Sequence, residues 1–188
     1  MLRRRLALIG GAVLIGVVAA LGVGRLDLVE DTIRDVTLPL RYEDIIRQQA
    51  RDKGVDADLI AAVIYAESRF RDQTSEAGAR GLMQITPDTA RLIERLSGGE
   101  TFRVADLADP DINIRYGTFF LAYLLEIYDG NAVAALAGYH AGPTNAADWG
   151  GSELRVEDIR FDETRHYVDE VLSKQEDYRR RYGSELGL

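Results

Sequence analysis

Glu67 stands at the end of an apolar run, "VDADLIAAVIYAESRF". At helical spacing Ile60, Val63 and Ile64 share a stripe, and Glu67, four past Val63 and three past Ile64, continues it. A carboxyl taken out of water holds its proton near neutrality and can donate it to a leaving oxygen. The same residue could instead pair with Arg71 at i, i+4 on a solvated face. Three further stretches offer polar chemistry. In "GARGLMQITP", Gln84 sits among apolar residues and needs partners if buried; sugar hydroxyls and an acetamide would serve, as would loop backbone. In "AGYHAGP", residues 137–143, Tyr139 and His140 could present a stacking ring and a polar tip, although a lone histidine is also an ordinary surface residue. In "DETRHYV", residues 162–168, Tyr167 falls on the inner face of a helix, where a core role competes. His140 and His166 are the only histidines, and no His/Asp/Glu spacing suggests a metal site.

These residues need helices and glycine-rich loops to hold them. "RYEDIIRQQARDKG" reads as a helix stopped by Gly54, with Asp56 positioned to start the next, over about 57–69. "SEAGARG" is a loop. Thr86-Pro87 and Asp109-Pro110 both carry N-cap and first-turn chemistry. They predict a helix over about 87–96 and a long one with Ile114, Phe120, Leu121 and Leu124 in register. "AVAALAGYH" predicts a short, closely packed helix, and 162–181 a last one with Tyr167, Val171 and Leu172 inward. Sustained period-two alternation is absent, so little or no β-structure is expected.

The chain has 188 residues, 46% hydrophobic and 29% charged, a globular balance. Its net charge is −8, and four of its basic residues lie before residue 26, leaving an acidic body that is a poor match for nucleic acid. There is no cysteine, hence no disulfide and no thiolate site. "MLRRR" precedes an uncharged apolar run over 6–24, long enough at 1.5 Å per residue to cross roughly 30 Å of hydrocarbon. Arginines on its N-terminal side favour a cytoplasmic N-terminus. The expected organisation is a membrane anchor over 1–25, a linker over 26–38 and one mainly helical domain over 39–188 on the extracytoplasmic side. A cleaved signal peptide is the alternative for 1–25.

Five pieces, "ESRF", "SEAGARGLMQITPDTA", "DPDINIRYG", "AGYHAGP" and "ETRHYV", together with the approach "VDADLIAAVIYAES", resemble the soluble lytic transglycosylase family, in that family's order, over about residues 39–182. The resemblance implies a lysozyme-like (SLT) helical domain of the goose-lysozyme kind. It implies cleavage of the β-1,4 bond between N-acetylmuramic acid and N-acetylglucosamine in peptidoglycan, leaving 1,6-anhydromuramyl ends without metal or cofactor. Glu67 matches the family's single acid, which serves as acid and then as base, and Ser68 the serine that follows it. Ser75 matches a serine that helps position the substrate acetamide. Gln84 matches a sugar-contacting glutamine, with Met83 shaping the groove beside it. Tyr139 and Tyr167 match the tyrosines of two further motifs, and Asn113 a structural asparagine. One departure is plain: His140 stands where the family carries asparagine, which alters the hydrogen bonds offered there and introduces a group that titrates near pH 6–7. Peptidoglycan strands and, through the anchor, the membrane are the expected partners. Two rivals remain: a hydrolytic muramidase of the same fold, with Glu163, Asp72 or Glu76 as a second acid, and a noncatalytic peptidoglycan-binding protein.

Overall fold

The computed structural model describes residues 37–98 and 103–188. Residues 40–188 form one compact unit. The expected anchor and nearly all of the linker lie outside the described residues. Among those described, no helix is long and apolar enough to cross a membrane.

Seven α-helices occur among the described residues of the domain: α1 Glu43–Lys53, α2 Ala57–Ser68, α3 Pro87–Ser97, α4 Pro110–Ile127, α5 Ala132–Ala141, α6 Pro143–Trp149 and α7 Asp162–Leu186. Short 3-10 turns cover Val104–Ala108, Gly151–Glu153 and Val156–Asp158. No strand occurs among the described residues, only isolated bridges between Thr74 and Arg80 and between Arg80 and Ile85. The mainly helical fold expected from the sequence is the one found.

Most helix boundaries follow local chemistry. Gly54 takes the left-handed conformation that ends α1, with φ of 67°. The Thr86 hydroxyl accepts from the Thr89 N–H before Pro87, and Asp109 accepts from the N–H groups of Asp111 and Ile112 before Pro110. Asp56 precedes α2 but makes no side-chain cap; its carboxylate lies 3.6 Å from the Arg179 guanidinium. Helix α2 ends at Ser68, one residue earlier than expected, because Arg69 and Phe70 both turn left-handed. The last helix runs on to Leu186 past a kink at Tyr182. Helix α6 has no apolar period of its own and follows from Pro143 and tertiary packing.

Helix α2 is the axis of the domain. Every residue from Ala57 to Tyr65 is buried, because α2 lies between α1 and α7. The sequence suggests a single apolar stripe, whereas the packing surrounds the helix and also buries Asp58 in its first turn. Helix α5 packs on α4, α6 and α7. Its alanines and Gly138 allow that approach, since a Cβ on Gly138 would lie 3.2 Å from Leu124 and Tyr128 carbons.

Candidate active site

The end of α2, the loop over 73–86, the end of α5 and the second turn of α7 converge on Glu67. The loop is held from below by Asn113 on α4. This fully buried side chain accepts from the Met83 N–H at 2.8 Å and donates to the Arg80 and Leu107 carbonyls at 2.9 and 3.0 Å. Gly81, at φ of 74°, lies against it: a Cβ there would come within 2.2 Å of the Asn113 amide nitrogen. Likewise a Cβ on Gly117 would strike the Met83 sulfur at 2.3 Å. Gly81 in the loop and Gly117 on α4 are therefore packing requirements.

The sequence-predicted residues divide into two groups. Glu67, Tyr139, His140 and Tyr167 come together. The Tyr139 hydroxyl donates to the Met83 carbonyl at 2.9 Å, which joins α5 to the loop. The His140 ring lies 4.5 Å from the Tyr167 ring, and its Nδ1 is 3.0 Å from the hydroxyl of buried Thr164. Ser68, Ser75, Met83 and Gln84 instead shape the support. The Ser68 hydroxyl is buried, 2.7 Å from the Leu82 carbonyl and 3.1 Å from that of Ile64, and pins the loop to α2. Met83 is fully buried beneath Gly117. The Ser75 hydroxyl accepts from the Ala79 N–H within its own turn. The Gln84 amide nitrogen donates to the carbonyls of Gly81 and Gln73 at 2.8 and 3.1 Å. Gln84 thus has the loop-backbone partners that the sequence left open, while its amide oxygen has no partner among the described residues.

Burial pushes Glu67 up from 4.5 to about 7, and the nearby Tyr167 hydroxyl opposes that rise. Part of the residue remains accessible, yet protein crowds the carboxyl. The approach of Tyr167 falls short of a well-formed hydrogen bond, so its buried hydroxyl has no satisfactory partner. Burial, and then the charge of Glu67, push the phenols of Tyr139 and Tyr167 well above 10, so both remain donors. Burial lowers the pKa of His140, with Glu163 opposing. The alternative Glu67–Arg71 pair does not form: Arg71 lies beyond the end of α2, and no ion pair joins the two. No second acid is among the groups that shift Glu67. Asp72, Glu76 and Glu163 are all exposed.

An acid that still holds much of its proton near neutral pH, beside phenol donors and an exposed imidazole, suits proton donation to a glycosidic oxygen. The transglycosylase SLT domain family matches residues 44–161. The chain belongs to this family. The SLT domain here is similar to the soluble lytic murein transglycosylase of Salmonella typhimurium, 33% identical over 159 residues, covering 80% of this chain and 25% of that protein. It is also similar to the membrane-bound lytic murein transglycosylase C of Yersinia enterocolitica, 36% identical over 120 residues, covering 62% and 33%. Among solved structures, an inactive glutamate-to-glutamine mutant of a Pseudomonas aeruginosa lytic transglycosylase superposes with a TM-score of 0.74 at 33% identity, over 80% of this chain and 26% of that one. A 70-kDa soluble lytic transglycosylase bound to bulgecin A gives 0.72 at 32% identity, over 78% and 25%. The chain spans about a quarter of the length of the soluble relatives it matches. The lysozyme-like SLT fold is thus the fold of this domain.

Sequence reasoning missed Gln73 and Thr164. Gln73 donates to the Glu67 carbonyl at 3.1 Å, while its own carbonyl accepts from Gln84. Nothing in its local pattern marks it. Thr164 stands three residues before Tyr167 on α7, and that helical spacing was the available signal.

Proposed function

We propose that this protein is a lytic transglycosylase that cleaves the β-1,4 bond between N-acetylmuramic acid and N-acetylglucosamine in peptidoglycan. The observation that carries the reading is the burial of the Glu67 carboxyl beside Tyr167, which raises its pKa to about 7, within an SLT domain. Protonated Glu67 donates its proton to the glycosidic oxygen as the bond to the anomeric carbon breaks. Ordinary glycosidases stabilise the resulting charge with a second carboxylate roughly 5–9 Å away. Here the carbonyl oxygen of the substrate's own acetamide takes that part. Ionised Glu67 then accepts the proton of the muramyl C6 hydroxyl as that oxygen closes on the anomeric carbon. Glu67 is left protonated and the product carries a 1,6-anhydro end. Tyr167 lies where it can steady the carboxylate between the two steps. Tyr139 holds the loop, His140 and the free Gln84 oxygen face sugar, and Ser75 keeps a hydroxyl proton for the acetamide. Ser68 and Met83 act from beneath the groove.

The proposed organisation is an anchor over 1–25, a linker over 26–38 and the catalytic domain over 39–188 outside the membrane, next to its polymeric substrate. Digestion of purified peptidoglycan, with products read by mass spectrometry, tests the reaction. Anhydromuramyl ends are expected. Reducing muramyl ends would make the protein a muramidase, and no cleavage by a folded protein would leave a binding role.

A further inference from the structure

Thr164 is fully buried, and its hydroxyl has one partner among the described residues, the Nδ1 of His140 at 3.0 Å. A threonine inside a helix often gives its hydroxyl proton to the carbonyl four residues back. Thr164 is the third residue of α7, so that carbonyl belongs to Arg160, ahead of the helix. The Phe161 carbonyl, three back, accepts from the Arg165 N–H at 3.0 Å. The hydroxyl proton is therefore left with Nδ1 as its acceptor. The imidazole is held for it from α7 as well: its ring lies 4.5 Å from that of Tyr167, inclined by 32°. His140 as a whole is exposed, and its Nε2 has no partner among the described residues.

We propose that Thr164 is a positioning residue: by donating to Nδ1 it fixes His140 in the tautomer that carries its proton on Nε2. The opposite tautomer would aim an N–H at the hydroxyl and leave a buried O–H without an acceptor, which is the costlier arrangement. His140 thus offers sugar a hydrogen and not a lone pair. What it meets is an acceptor, the carbonyl oxygen of an acetamide or a hydroxyl oxygen of the glycan. A side-chain amide at this position could turn to present either group, whereas this imidazole cannot. Below the pKa of His140 the second proton falls on Nδ1, and Nε2 still donates with a charge behind it; exposed Glu163 is the charge that acts on the ring. The consequence for sugar rests on the proposed function, and the tautomer does not.

Long-range proton–nitrogen NMR of the full chain at pH 8, where His140 is neutral, reads the tautomer without any ligand. Exposed His166, the only other histidine, supplies the mixture of a free imidazole in the same spectrum, and His140→Asn assigns the signals. His140 should carry its proton on Nε2 in nearly every molecule. In Thr164→Val, which keeps the shape and removes the hydroxyl, it should drift toward the His166 mixture, and Thr164→Ser should restore it. A proton on Nδ1 in the wild type, or a mixture equal to that of His166, would overturn the proposal. Calorimetry with a GlcNAc–MurNAc oligosaccharide, in a Glu67→Gln background, then reads the effect on sugar. Thr164→Val should weaken binding about threefold, through lost tautomer and ring orientation. With His140→Asn also present, the same change should have almost no effect. An equal loss in both backgrounds would mean that Thr164 only supports the fold, and would overturn its positioning role. The expected tautomer in a chain that binds no sugar would remove the proposed function and leave the tautomer standing.

Discussion

Helix α2 carries a buried acid at each end, and the two have opposite fates. Asp58, in the first turn, is fully buried, yet it accepts from Gln175 at 3.1 Å and from Arg179 at 2.7 Å, both on α7. It also lies at the helix end whose unpaired N–H groups favour an anion. Glu67, in the last turn, meets burial, an imperfectly placed phenol and the helix end that disfavours an anion. One helix thus carries an ion-paired strut at one end and, at the other, the carboxyl proposed as proton donor. A buried carboxyl that is fully partnered holds the fold together. One left without partners is available for chemistry.

The largest expected effect comes from removing the donor. Glu67→Gln should lower release of anhydromuramyl ends by about a thousandfold or more, with an unchanged circular dichroism spectrum. The same variant should be more stable at alkaline pH. The folded wild type holds the Glu67 proton up to about pH 7, whereas the unfolded chain releases it near 4.5. Wild-type stability therefore falls as pH rises through that window, by at most about 3 kcal/mol. The glutamine has no such loss, so its gain in melting temperature should be small at pH 5 and larger at pH 8. An equal gain at both would mean that the carboxyl is not starved of partners.

Asp58→Ala should sharpen the contrast by failing in the other way. Removing the acid leaves Gln175 without this partner and Arg179 with Asp56 alone, 3.6 Å away. Arg179 is about half exposed, so water recovers part of its interaction, and a loss of about 2 kcal/mol is expected in urea unfolding. Activity per folded molecule should stay near wild type. A loss of activity without a loss of stability would erase the distinction between the two ends.

Tyr167→Phe probes the one hydroxyl that bears on Glu67. Wild-type cleavage should decline above about pH 7 as Glu67 ionises. Tyr167 lowers the Glu67 pKa, so the phenylalanine variant should carry its decline to higher pH. Its rate should drop about tenfold at the optimum, through loss of help to the ionised carboxylate. Because the buried phenol has no satisfactory partner now, its removal should leave the melting temperature nearly unchanged. A large destabilisation would make Tyr167 a core residue in the manner of Asp58.

The two ends of α2 were not equally legible in the sequence. Glu67 stood out because it continues a visible apolar stripe and is followed by motif residues in a known order. Asp58 was hidden, because its partners lie more than a hundred positions away on α7, and no local pattern reports such packing. Caps written in adjacent residues, such as Thr86-Pro87 and Asp109-Pro110, could be read directly. Helix α6 and the early end of α2 are set by contacts and by the left-handed turn at Arg69 and Phe70, for which no glycine gives warning. Motif matching found Ser68 and Met83 but could not tell a residue that lines the groove from one that holds it up; burial separates them.

His140 gives the smallest and most diagnostic test, because it is where this chain departs from the family pattern at the Glu67 end. Thr164 at Nδ1 and the Tyr167 ring hold its imidazole on one side, and Glu163 is the charge that acts on it. Burial dominates and lowers its pKa below 6.5, so it is neutral at pH 7 and becomes charged only on the acid side. In the neutral ring one nitrogen donates and the other accepts, whereas the imidazolium only donates. Sugar binding should therefore differ by a few-fold between pH 7 and pH 5, in a Glu67→Gln background where nothing is cleaved. His140→Asn, which restores the residue type of the family, should flatten that dependence and leave affinity at pH 7 within about threefold. A pH dependence that survives the asparagine would place the titrating group elsewhere, with Glu163 the next to substitute. Its loss would show that His140 is a second titrating group beside the proposed acid, one that tunes sugar binding and leaves Glu67 itself untouched.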